Sequence, residues 1–190
     1  SGISRRYLNL PNWEQLLRIF AKEAGTDFDY LNATHNNDLP KVASAISSAF
    51  HEKWWKDSEY ETQRSRHAAE VFDREGALKV AVAEWVSERD SLTPGVPGVD
   101  DPDLAEEIEL LSKVVVDGVI TTNYDSLAEQ VFPEFKQYVG QQGMLVNDAE
   151  FIAETYLIHG SAGAPNSLVL TDSDYYSFRT RNPYLAAKLL

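Results

Sequence analysis

Asn123 and His159 are the residues of this chain whose types and settings best suit chemistry. Asn123 ends the β-branched run Val119-Ile120-Thr121-Thr122, and a helical pattern begins directly behind it. His159 ends the apolar run Tyr156-Leu157-Ile158 and is followed by Gly160-Ser161. Polar side chains at the carboxyl ends of strands are where α/β sheets bind ligands. Two such ends can set an amide beside an imidazole. The amide donates and accepts hydrogen bonds at once, which suits hydroxyls or a water. An imidazole with a reference pKa of about 6.5 accepts a proton near neutral pH. Plainer readings stand beside these. Asn123 can cap the following helix, His159 can be a satisfied core histidine, and Asp125 can serve the positive end of that helix. The other histidines lack ligand spacing: His51 and His67 sit in charged helical surroundings and His35 in a polar stretch. No Gly-Lys-Ser/Thr phosphate loop and no Gly-x-Ser-x-Gly elbow is present.

The elements that must position this pair follow from periodicity. Pro11-Asn12 suits a helix start, with Trp13, Leu16, Leu17 and Phe20 at helical spacing and Gly25 as its stop. Thr26 to Pro40 reads as helix ends and loop. From Lys41 to about Arg89 the period is helical, with stripes at Val42, Ala45, Ile46 and Ala49, then Ala69, Val71 and Phe72, then Leu78, Val82, Trp85 and Val86. Gly76 is expected to end or kink the second of these helices. In the pair Trp54-Trp55 the two side chains point to different faces, so at least one is core. Asp101-Pro102 is an N-cap and first-turn pair, and Leu104, Ile108, Leu111 and Val115 follow as an amphipathic helix. Ser126 to Phe132 is helical. A short strand is expected near Met144-Leu145-Val146, a further strand at Leu168-Val169-Leu170, a helix capped by Asp172, and a last helix from Asn182-Pro183. The runs Gly118–Thr122, Tyr156–Ile158 and Leu168–Leu170 read as strands buried on both faces.

Composition narrows the function classes. The 190 residues carry a formal net charge of −13. Phosphate neutralisation needs clustered Lys and Arg, so no nucleic-acid partner is expected. An anionic ligand would be held by backbone N–H groups and helix ends more than by basic side chains. There is no cysteine, which removes disulfides, Cys-based zinc sites and thiol catalysis. No apolar run approaches the ~18 residues of a membrane span, no membrane partner is expected, and the simplest location is the cytoplasm.

Four motifs, in order, carry a family resemblance. Thr121-Thr122-Asn123-Tyr124-Asp125 and Ile158-His159-Gly160-Ser161 resemble the two central motifs of sirtuin-like NAD-consuming domains. Ser1-Gly2-Ile3-Ser4, with Leu10-Pro11-Asn12-Trp13 and Leu16-Leu17 behind it, resembles their Gly-rich nucleotide loop and first helix. Ser167 to Thr171 with Asp174-Tyr175 resembles their next strand and Asp-Tyr signature. The branch it looks most like is the bacterial sirtuin-like NAD hydrolases, many of them antiphage effectors.

The resemblance implies an α/β fold: a three-layer, Rossmann-like, mostly parallel sheet in one domain over 1–190, with a helical insert at about 41–116. Both ends look truncated, because no strand precedes Ser1 and the last helix reaches Leu190 without a stop. It implies hydrolysis of the nicotinamide–ribose bond of NAD, with NAD as substrate; no metal is expected, because the sequence has no Cys and no His or carboxylate cluster at ligand spacing. Asn123 and His159 would be catalytic, and Gly2, Ser4, Thr122, Asp125 and Ser161 would contact NAD, with Arg5 and Arg6 either near its phosphates or solvated. A homo-oligomer is expected, and a sensor domain or partner protein beyond Leu190. Sirtuin deacylases usually carry a four-Cys zinc module after the His-Gly motif, which a chain without cysteine lacks. A zinc-free NAD-dependent protein deacylase and a non-catalytic NAD or ADP-ribose sensing module remain as alternatives.

Overall fold

In the computed structural model, residues 2–140 and 152–181 are described, the last three without their side chains. Helices fill the first part of the chain: α1 (Gly2–Leu8), α2 (Trp13–Glu23), α3 (Phe28–Thr34), α4 (Leu39–Lys56), α5 (Glu61–His67), α6 (Gly76–Ser87), α7 (Pro97–Asp100) and α8 (Pro102–Ser112). The sheet follows, as β1 (Gly118–Thr121), α9 (Leu127–Val131), β2 (Lys136–Val139) and β3 (Glu154–Leu157), with α10 (Asp172–Arg181) behind it. Among the described residues no helix is long and apolar enough to cross a membrane.

Local chemistry sets the helix boundaries. Asn12 caps α2 with a reciprocal box: its side chain accepts from the Gln15 amide at 2.8 Å, and the Gln15 side chain accepts from the Asn12 amide at 2.9 Å. The helix then buries Leu16, Leu17 and Phe20 of the stripe its sequence predicts, together with Ala21, while Trp13 is only partly buried. Asp101 caps α8 through the amides of Asp103 and Leu104. Helix α6 is buried on nearly every side, from Gly76 to Ala83 and again at Val86, and α4 packs on it through Val42, Ile46, Phe50 and Trp54. Trp54 is fully buried with its indole N–H on Gln63, while Trp55 is 43% exposed.

Three helix readings are corrected. The stretch Thr26 to Pro40 contains α3, capped by Asp27 and anchored by buried Phe28. No helix covers Ala69 to Phe72: only a 3-10 turn, Ala68–Glu70, forms there, and Phe72 is exposed. The carboxylate of Asp73 accepts from the amides of Glu75 and Gly76, both at 2.9 Å, so Gly76 opens α6 instead of ending a helix.

The sheet is parallel throughout, in the order β1-β3-β2. Gly118 pairs with Glu154 and Thr121 with Leu157, while Lys136 pairs with Glu154 and Val139 with Leu157. Only central β3 is buried along its whole length; on the edge strand β1, Ile120 is 53% exposed. Leu168-Val169-Leu170 is buried but is not a strand. Val169 makes one backbone bond to His159, and the amides of Leu170 and Thr171 go to the Asp174 carboxylate, which leaves nothing for a ladder. The expected strand at Met144–Val146 and the last helix from Asn182 lie outside the described residues.

The α2 cap gives a direct test. Asn12→Ala removes the side-chain acceptor and is expected to lower the unfolding free energy by about 1 kcal/mol in urea titration.

Candidate active site

Parallel register brings the two strand ends together. Thr121 sits opposite Leu157, and the Ile158 amide donates to the Thr121 carbonyl at 3.0 Å just beyond the last pair. Two residues past each strand end stand Asn123 and His159. Both line one cavity of about 250 Å³, together with Ser4, Thr122 and Asp125 on the polar side and Trp13, Trp85 and Tyr175 on the aromatic side.

Ser4 ties the polar side together from the far end of the sequence. The Asn123 Nδ2 donates to Ser4 Oγ at 2.6 Å, and Ser4 Oγ donates to Asp125 Oδ2 at 2.7 Å. Asp125 Oδ1 accepts from the Leu127 amide at 3.2 Å, so the residue also serves the start of α9, as its plainer reading expects. Burial pushes the Asp125 carboxyl above its usual range; the bonds from Ser4 and Leu127 oppose the rise, and the nearby Asp90 adds to it. The Asn123 backbone N–H is held by Thr121 Oγ1 at 3.0 Å.

His159 sits edge-on to the rings of Tyr175 and Phe178, each with centroids at 5.5 Å. Burial depresses its pKa below 6.5, so the imidazole is neutral at pH 7 and can accept a proton. Tyr175 in turn stacks on Trp13 at 5.6 Å. The Trp13 Nε1–H is buried and has no hydrogen-bond partner. A buried donor without a partner is costly and calls for an explanation.

Gly160 explains the His-Gly pairing. Its φ is +91°, and a Cβ there would lie 2.3 Å from the Ser167 carbonyl oxygen. The chain can therefore fold back at once behind His159, where Ser161 N donates to Ser167 Oγ and Val169 N donates to the His159 carbonyl.

Of the residues singled out from sequence, the structure gathers Ser4, Thr122, Asn123, Asp125 and His159 around one cavity. Gly2 and Ser161 lie outside its lining. Ser1 to Ser4 was expected to be a nucleotide loop, but Gly2 begins helix α1, and a Cβ on it would meet nothing within 4 Å. Gly2 lines an adjoining groove with Arg5, Arg6 and Arg18. In that groove Arg6 is paired with Glu107, and Arg18 with Glu14 and Asp29. The Ser161 hydroxyl accepts from the Gly163 amide at 3.2 Å. Sequence reasoning placed Trp13 only in a helix stripe; its position directly after the Pro11-Asn12 cap is what aims it at the strand ends. Among the described residues no group of three or more His, Asp or Glu is placed to hold a metal ion.

The tight return behind His159 is testable. Gly160→Ala must adopt a positive φ and displace backbone, and is expected to cost at least about 2 kcal/mol of stability by thermal or urea unfolding.

No curated protein matches the chain. Residues 117–190 match the family model of the SIR2-like domain. That segment contains the three strands of the described residues, Asn123 and His159, whereas Ser4 and Trp13 reach the cavity from outside it. Over residues 117–190 the chain is therefore similar to a SIR2-like domain.

Proposed function

We propose that this protein is an NAD hydrolase that cleaves the nicotinamide–ribose bond to give nicotinamide and ADP-ribose, acting as a defence effector. A SIR2-like domain implies an NAD-related function, and the three-stranded parallel sheet suits a Rossmann-like arrangement with its ligand at the strand ends. The observation that carries the reading is the single cavity shared by Asn123 and His159.

The cavity fits such a substrate. Its aromatic wall suits a flat heteroaromatic ring, and the unpartnered Trp13 N–H offers a donor to an acceptor on the ligand. The adjoining groove shares Leu10, Pro11 and Trp85 with the cavity and carries Arg5, which gives room for an anionic remainder. Bound NAD supplies a cationic leaving group on a ribose carbon, so that charge develops on the sugar as in glycoside cleavage. Asn123, its amide N–H directed to Ser4, orients the ribose and the attacking water. Neutral His159 accepts the hydrogen of a ribose hydroxyl and stabilises the developing charge. The apolar walls limit bulk water, which strengthens these interactions.

The test is release of free nicotinamide from NAD by the purified protein, with and without an acyl-lysine peptide. The expected result is release without peptide, unaffected by a chelator. His159→Ala and Asn123→Ala are each expected to lower it about 100-fold or more with little change in melting temperature. Release that requires the peptide would indicate a deacylase, and binding without release a sensing module. Protonated imidazole cannot accept, so kcat/KM is expected to fall as pH drops, with an acid limb below the ordinary 6.5 because burial depresses the His159 pKa. An acid limb above 6.5 would contradict the role given to His159.

A further inference from the structure

Helix α10 carries Tyr175 into the cavity, and its apolar anchors are few: Phe178, partly buried, packs against Tyr138, Tyr156 and Ile158, and Tyr175 stacks on Trp13. From Asp172 to Phe178 none of its side chains is fully buried, and its sequence is mostly polar. Its first turn is held by polar contacts: the Asp172 amide donates to Ser44 Oγ at 3.1 Å, and Asp174 forms an ion pair with the core. Lys79 lies in the first turn of α6, is only 8% exposed, and its Nζ meets Asp174 Oδ1 at 2.5 Å. Asp174 Oδ2 accepts from the amides of Leu170 at 3.0 Å and Thr171 at 2.9 Å. Glu75, at the start of α6, accepts from the hydroxyls of Thr171 and Ser173 at 2.7 and 2.6 Å. The next residue after Asp174 is Tyr175, stacked on Trp13 and edge-on to His159.

A buried ion pair is weak evidence for stability, because its desolvation offsets most of its attraction and an apolar pair of similar volume often does as well. Its better-attested use is to select one arrangement. We propose that Lys79 is a positioning residue of the active site: through Asp174 it locks the start of α10 and so holds Tyr175 between Trp13 and His159. The inference rests on reading the Asn123–His159 cavity as the active site. The charged and titratable groups that face the lock are Glu75 from α6, Tyr124 from the loop after β1, and Tyr175 from α10 itself. Those packed on His159 are the rings of Tyr175 and Phe178, and burial alone depresses its pKa. When the lock is released, Tyr175 no longer shields the imidazole, water reaches it, and its affinity for a proton rises.

Two variants test this. Lys79→Met removes the ammonium. The double variant Lys79→Met with Asp174→Asn removes both charges but keeps an acceptor for the Leu170 and Thr171 amides, so it folds even if the single variant does not. The ring-proton titration of His159 in the unliganded protein, assigned with His159→Ala, is expected to move up toward 6.5 in the folded variant. Its kcat/KM for NAD is expected to fall about tenfold to a hundredfold, whereas Lys79→Arg, which keeps the charge, retains most activity. A folded variant with the wild-type His159 titration and wild-type kcat/KM overturns the inference. Failure of both variants to fold also overturns it, by making the pair a stability element only. If the wild-type protein does not cleave NAD, the functional reading fails, while the His159 titration still decides whether Lys79 positions the cavity.

Discussion

The parallel pairing of β1 with β3 is the constraint on which everything else depends. In a parallel pair both strands end on the same side, so residues two positions beyond Thr121 and Leu157 leave the sheet together. An antiparallel pair would have sent Asn123 and His159 to opposite edges. The additional bond from the Ile158 amide to the Thr121 carbonyl carries the register past the last pair and fixes the level at which the two polar side chains emerge. Helices α1, α2 and α10 then close the space above those ends with Ser4, Trp13 and Tyr175.

Burial gives this space its chemistry. The protein is strongly acidic, yet the cavity holds one buried carboxyl displaced toward its neutral form and one imidazole displaced toward its own. Both shifts have desolvation as their first cause. The Ser4 hydroxyl moderates the first by donating to Asp125 while accepting from Asn123, so one small side chain sets the orientation of an amide and the charge of an acid. The chain also accepts backbone costs here. Gly160 takes a positive φ against the Ser167 carbonyl because no other residue type fits that turn.

Much of this was legible in the sequence, for physical reasons. Asn123 and His159 stood out because each ends an apolar or β-branched run with a polar residue and a change of period. The starts of α2 and α8 were legible because Asn12 and Asp101 are side-chain caps, and capping is local; the end of α8 was not, for the helix stops at Ser112 and Val115, expected in its stripe, is 99% exposed. The illegible parts are those decided by distant contacts. Strand β2, Lys-Gln-Tyr-Val, has no apolar run and is recruited by pairing with β3, with Tyr138 as its one buried side chain. Glu154 begins β3 from a buried position, bonded by the hydroxyls of Tyr138 and Tyr156; no alternation rule would place a carboxylate there. Leu168–Leu170 is as apolar as a strand, but the Asp174 carboxylate takes the amides a ladder would need. Ser4 reads as loop and folds as helix, and its bond to Asn123 spans 119 positions. Only the arrival of α10 shows why Lys79 is buried.

The most direct measurement is a titration of the isotopically labelled protein with NAD, and with ADP-ribose, followed through the histidine rings and the Asn side-chain amides. The account predicts that the His159 ring and the Asn123 amide respond together, with one binding constant, while His35, His51 and His67, which lie outside the cavity, stay unmoved. Perturbation of one of those other histidines with His159 and Asn123 unchanged would place the nucleotide on another face and contradict the account.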